Sequence, residues 1–214
     1  MTLLHLPRLT RTAAAVAVLA AASSVLAPAA SALPEDTWTV DPGGALTAAS
    51  PLSIQNVTRG WSIDCGQATF TGTAEFGAGN QVDPLVEFDD ESFENCAGPD
   101  GVGYTVTMTS GVQLEMYASS YDAGAGKTTG TLFGFQLNLV GTNRCQADVA
   151  DPAGNLGAAD ATFTNEGSAL GLGGGNMGVT FVNFACPSDF IANGDQVVIA
   201  ARLAVSPAQT ITGS

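Results

Sequence analysis

Six acids fall within twelve residues: Asp83, Glu87, Asp89, Asp90, Glu91 and Glu94. Carboxylates at this density can do two things. They can supply several of the six to eight oxygens that calcium takes. One pair of them can also act as proton donor and nucleophile in glycoside hydrolysis. The spacing does not follow the twelve-residue calcium loop with its fixed ligand positions, so calcium would need a site of a different build. A glycosidase pair must face across a cleft, with one pKa raised. Neighbours along one strand do not face each other, so a second acid would have to come from elsewhere, with Glu115 and Asp64 as candidates. Sugar sites also offer aromatic platforms. Trp38 and Trp61 are the only tryptophans, and they are the binding candidates.

Other catalytic chemistries lack their parts. A Ser-His-Asp or Cys-His centre needs an imidazole to carry the proton, and the single histidine is His5. Ser-Lys catalysis would have to use Lys127, the only lysine, in a Gly-rich turn that cannot desolvate an amine. The run from Tyr121 to Thr128 resembles a phosphate loop, but Tyr121 stands where the first Gly belongs, and Thr129 to Val140 reads as a strand instead of the helix the motif needs. Gly167 to Gly178 resembles part of a calcium-binding β-roll repeat without its Asp, and reads as a mobile hairpin tip. Asn56-Val57-Thr58 has the form of an N-glycosylation acceptor and reads as a chance match.

The N-terminus decides which of these residues matter. Arg8 and Arg11, an apolar run from Ala13 to Ala27, and Ala30-Ser31-Ala32 follow the order of a secretory signal. The apolar run is shorter than the ~20 residues needed to span a bilayer. Residues 1–32 therefore read as a cleaved signal peptide and 33–214 as the mature protein, without a further membrane-spanning segment. His5 leaves with the signal. So do two of the six basic residues, and the net charge moves from −14 to −16. That charge disfavours nucleic acid, whose phosphates demand Lys and Arg, and anionic membrane surfaces.

The elements that must position these groups are strands. Val102 to Met108 alternates apolar residues with Thr. Phe133, Phe135, Leu137 and Leu139 are expected on one face, and Val197, Ile199, Ala201, Leu203 and Val205 form another stripe. Shorter candidates surround Trp38–Val40, 52–57, 69–75, 85–89, 112–118, 161–164 and 179–184, with Gly, Asn, Asp and Pro turns between them. If 85–89 is a strand, Glu87 and Asp89 face outward, and Asp90, Glu91 and Glu94 lie on the loop after it. About twelve short strands predict an all-β fold, an antiparallel β-sandwich. The order Cys65, Val86–Phe88, Cys96 is loosely echoed by Cys145, Val179–Phe181, Cys186, which suggests two related β halves at about 37–121 and 127–208. In an oxidising space four cysteines give two disulfides. Of three pairings, Cys65–Cys96 and Cys145–Cys186 close the shorter loops.

Trp38 to Gly44 with its Pro-Gly-Gly turn, Phe93-Glu-Asn-Cys96-Ala-Gly-Pro99, and the tail Val205-Ser-Pro-Ala-Gln-Thr-Ile211 resemble small secreted actinobacterial β-rich proteins of unassigned function. The resemblance implies export and β structure and carries over no site residues. The expected function is thus a non-catalytic extracellular or cell-envelope-associated binding or structural protein, with an unknown extracellular or cell-wall partner. The alternative is a secreted carboxylate hydrolase, glycosidase-like and calcium-dependent. No cofactor is expected apart from calcium, and the sequence leaves the oligomeric state open. Mass spectrometry of exported material is expected to find Leu33 as the first residue; an intact N-terminus would refute processing there.

Overall fold

The computed structural model describes residues 37–81, 84–109 and 111–214; the predicted signal peptide and Asp83 lie outside the described residues. The described chain is all-β, with one 3-10 turn at Pro99–Gly101 and no α-helix. Among the described residues no helix is long and apolar enough to cross a membrane.

Eight strands close a ring. They are β2 (Gly44–Asn56), β3 (Trp61–Ala74), β5 (Val86–Ala97), β7 (Leu114–Asp122), β8 (Lys127–Phe135), β11 (Gly157–Thr164), β12 (Ala169–Gly173) and β14 (Val197–Ser206). Their order is β5-β3-β2-β14-β12-β11-β8-β7, and β7 pairs back onto β5 through Val86↔Met116 and Phe88↔Leu114. The expected β-sandwich is therefore a closed barrel. A sandwich keeps open edges whose N–H and C=O groups must find other partners; closure pairs them instead.

Four more strands continue from the other end of β5: β6 (Gly103–Met108), β9 (Leu137–Gly141), β10 (Gln146–Ala150) and β13 (Gly178–Val182). The last of them returns to the start of β14 by the bridge Gly178↔Gln196. Long strands β2, β3, β5 and β14 thus run past both groups, and strands from both of the sequence intervals 37–121 and 127–208 pair with one another, as in β14 on β2. A separate sheet, β15 (Thr210–Gly213), β1 (Trp38–Asp41) and β4 (Gly77–Asn80), covers one end. Its Val40 and Ile211 meet Leu46, Phe88 and Met116 around one small void.

The core follows the period-two pattern. Val197, Ile199, Leu203 and Val205 are buried while Arg202 is exposed. Phe70, Phe88, Phe135, Leu114, Leu132 and Leu139 fill the interior, so apolar side chains point inward. The stripe around Phe133 is broken. Gly134 has φ +117° and sits where the ladder with β11 slips by one residue. A slip of one residue exchanges the two faces of a strand, so Phe135, Leu137 and Leu139 are buried while Phe133 is exposed. The predicted mobile tip at 167–178 contains ladder: β12, Ala169–Gly173, is paired with β11 and β14.

Both preferred disulfides are present. Cys65–Cys96 links directly opposed residues of β3 and β5, and Cys145–Cys186 ties the turn before β10 to the segment 183–196. That segment is held a second time at Asp195. Its carboxylate accepts from Asn56 Nδ2 (2.9 Å), from Arg59 Nε (3.0 Å) and from the Ala192 N–H (2.9 Å). Asn56 is buried and committed to this contact, which removes it as a glycosylation acceptor. Burial alone would raise the Asp195 pKa. The three hydrogen bonds and the Arg59 charge outweigh it, and the net shift is downward. A lowered carboxylate pKa stabilises the fold above its unfolded-state value, and that stabilisation is lost as pH falls through the folded value. Asp195→Asn should cost about 2–3 kcal/mol at neutral pH. In urea titrations the gap to the wild type should shrink below pH ~4; a pH-independent gap would exclude the ionised carboxylate as the cause.

Candidate functional site

β5 is the strand on which the wall divides. Its first three residues pair with β7, and Cys96 and Ala97 pair with Tyr104 and Gly103 of β6. Between these two ladders, Asp89 to Asn95 has no strand partner on the other edge among the described residues; Asp90 to Glu94 stays in register with Thr71 to Gln67 of β3, while Asp89 is bulged and Asn95 has φ +54°. β6 in turn is paired with β9 on one side, and its Thr105–Met108 edge toward β5 is unpaired. Gly111 to Gln113, just before β7, border the gap. The opening has a volume of about 750 Å³ and is lined by Glu91, Phe93, Val106, Thr107, Met108 and Gln113, among others.

The local sequence explains the divergence. Thr71 faces Asp90, but Gly72 faces Phe88, so Asp89 is an extra residue on β5. A bulge of this kind bends the strand and increases its twist. Gly72 permits it: a Cβ there would lie 1.9 Å from the Glu87 carbonyl oxygen. The bulge also resets which side chains face inward. Asp89 and Asp90 are both exposed, and beyond them Glu91 lies opposite buried Phe70, and Phe93 opposite buried Ala68.

This corrects the expected position of the acids. β5 continues as strand to Ala97, so Asp90, Glu91 and Glu94 are not on a loop. Glu87 and Glu94 are on the outer side, Asp89 and Asp90 are exposed at the rim of the opening, and Glu91 is the half-buried acid that lines it. Its Oε2 is buried and has no hydrogen-bond partner. Desolvation, and secondarily the neighbouring charge of Asp90, raise the pKa of its carboxyl. Asp89 is held at the rim by Gln113, whose Nε2 donates to Oδ1 at 2.6 Å. Among the described residues no three acids, cysteines or histidines converge to hold a metal ion; the cluster is strung along a strand instead of gathered.

The two acids considered as partners for a hydrolytic pair lie on the outer side. Glu115 stands between buried Leu114 and Met116 and accepts from the Tyr117 hydroxyl at 2.6 Å. Asp64 stands between buried Ile63 and Cys65 and accepts from Ser62 Oγ at 2.8 Å. The tryptophans are also elsewhere. Trp38 is 2% exposed and belongs to the core beneath β15. Trp61 stacks on Phe190 with ring centroids 4.2 Å apart, and its indole N–H donates to the Phe190 carbonyl. Together they line a smaller cleft of about 290 Å³ with Tyr104.

Sequence reading missed Phe93, Val106, Met108 and Gln113 as residues of one opening. The only signal was Gly72 opposite a run of acids, which marks a bulge but not where the strand goes next.

The raised pKa of Glu91 has a definite stability consequence. The native state then holds its proton more tightly than the unfolded chain, so stability falls as pH rises from the ordinary carboxylate range toward the raised value. Glu91→Gln is expected to melt at a higher temperature than the wild type at neutral pH, with the difference vanishing below pH ~4. A variant that is less stable at neutral pH would mean that the carboxylate has a partner in the fold.

No protein-family model matches the chain, and no curated protein or solved structure is similar enough to match it.

Proposed function

We propose that this is an extracellular binding protein without catalytic activity, and that the opening between β5 and β6 is where its ligand sits. Two disulfides and no free cysteine among the described residues fit an oxidising compartment. The observation that carries the reading is the seven-residue stretch Asp89–Asn95, whose unpaired edge borders an opening of about 750 Å³. Backbone donors and acceptors in a barrel wall are normally paired. An edge left free beside apolar Phe93, Val106 and Met108 offers both hydrogen bonds and apolar surface to an incoming chain.

A carboxylate hydrolase is supported less. Glu91 has the raised pKa of a proton donor, but a glycosidase needs a second carboxylate facing it, and Glu115 and Asp64 are on the outer face of the wall. Calcium dependence has no support from converging ligands.

Hydrogen exchange on the secreted protein, alone and with concentrated extracellular material from its own culture, tests the reading. The edge-facing amides among 89–95 are expected to exchange fast alone and at least ~10-fold more slowly in the mixture, while those that point to β3 stay protected in both. Unchanged exchange there would refute it. Reducing-end release from soluble polysaccharides that Glu91→Gln abolishes would establish the hydrolase instead.

A further inference from the structure

We propose that the opening takes an extended, basic peptide, which adds as a strand to the free edge of β5 and sets a Lys or Arg side chain beside Glu91. This rests on the reading of the opening as a binding site, and names its occupant.

The edge selects the shape of the ligand. A strand edge presents N–H and C=O groups at a regular spacing of about 3.3 Å per residue. Only another extended polypeptide matches that alternation along its whole length, which is the basis of strand addition. Asp90–Glu94, the part of the free edge in regular register with β3, gives such a peptide five residues of β5 to follow. Side chains of the added strand alternate between the two faces of the wall. Those facing inward meet Phe93, Val106 and Met108, and those facing outward meet Thr105 and Thr107.

Charge selects its composition. The inward positions contain one polar group, the Glu91 carboxyl, whose Oε2 is buried and lacks a donor. Glu91 is half-buried and lines the opening, so a cationic side chain placed there supplies the countercharge that its carboxyl lacks. Asp89 and Asp90 add two further negative charges at the rim. The chain as a whole carries 20 acids against 6 basic residues, so a basic partner is drawn to it at long range. A second copy of this chain is disfavoured by the same numbers. A neutral polysaccharide would leave most of the edge groups unanswered.

The test uses synthetic seven-residue peptides of alternating Val and Thr, with Lys, norleucine or Glu at the central position. Binding is read by fluorescence anisotropy and its location by hydrogen exchange. The Lys peptide should bind most tightly, the Glu peptide at least ~10-fold more weakly, and protection should be gained at the edge-facing amides of 89–95 and nowhere else except Thr105–Met108 across the opening. Methylating alternate peptide nitrogens on the edge-facing side should abolish binding. Glu91→Gln should weaken the Lys peptide ~10-fold and leave the norleucine peptide unchanged. That variant is expected to be at least as stable as the wild type, so loss of binding is not loss of fold. Binding that survives N-methylation, or protection at another segment, would overturn the proposal. If no peptide binds but the culture material still protects 89–95, the peptide is the wrong occupant and the binding site stands. If neither protects it, both fall.

Discussion

Every strand of this barrel depends on one constraint: β5 must satisfy two partners on a single edge. At its first residues it closes the ring by pairing with β7; at its last it starts the β6-β9-β10-β13 sheet. Each ladder satisfies backbone groups that would otherwise be left unpaired in the wall. The two partners are consecutive strands that follow one another along this edge, and the chain between Tyr104 and Leu114 is two residues longer than the stretch of β5 it passes. The separation between them is therefore a result of how the ring closes, and it falls where β5 passes from one partner to the other.

Closure at this point needs a bend, and the bend needs specific residues. Asp89 is inserted relative to β3, and Gly72 opposite it admits the Glu87 carbonyl where no other residue could. The Cys65–Cys96 bridge then joins β3 to β5 at the end where β6 takes over, because Cys96 faces Tyr104 as well as Cys65. A bridge closing a loop of this length contributes roughly 3–4 kcal/mol. Its position means that the stabilisation acts on the junction itself. The opposite margin of the opening is held by β7 packed through Leu114 and Met116, both fully buried. The opening thus lies between two firmly held ends.

The strands were legible in the sequence because alternation is a local property. Val197 to Val205 and Val102 to Met108 needed only their own neighbours to be assigned. The cysteine pairing was legible because the shorter loops are also those that join adjacent strands. The side chains after a bulge were not. Phe133 and Glu91 both point opposite to the expectation from unbroken alternation, and in each case one inserted residue or one glycine at positive φ resets the faces. The ring was hidden for a different reason. Whether the two outer strands of a sheet meet depends on accumulated twist and bend, which no single segment encodes.

Glu91 ties these levels together. Bulge parity puts an ionisable side chain on the inner face, against Phe70, where Leu or Gln would sit at lower cost. In the free protein its ionised form therefore opposes folding. A group that opposes the free state gives a bound state something to gain. A cation placed beside the carboxyl offsets the desolvation penalty, so the binding free energy includes the relief of a cost already present in the barrel. The same cost disfavours an empty or apolar-filled opening relative to one that holds a cation. Selectivity for charge inside the opening then centres on Glu91, whose direction is set by one extra amino acid earlier in the same strand.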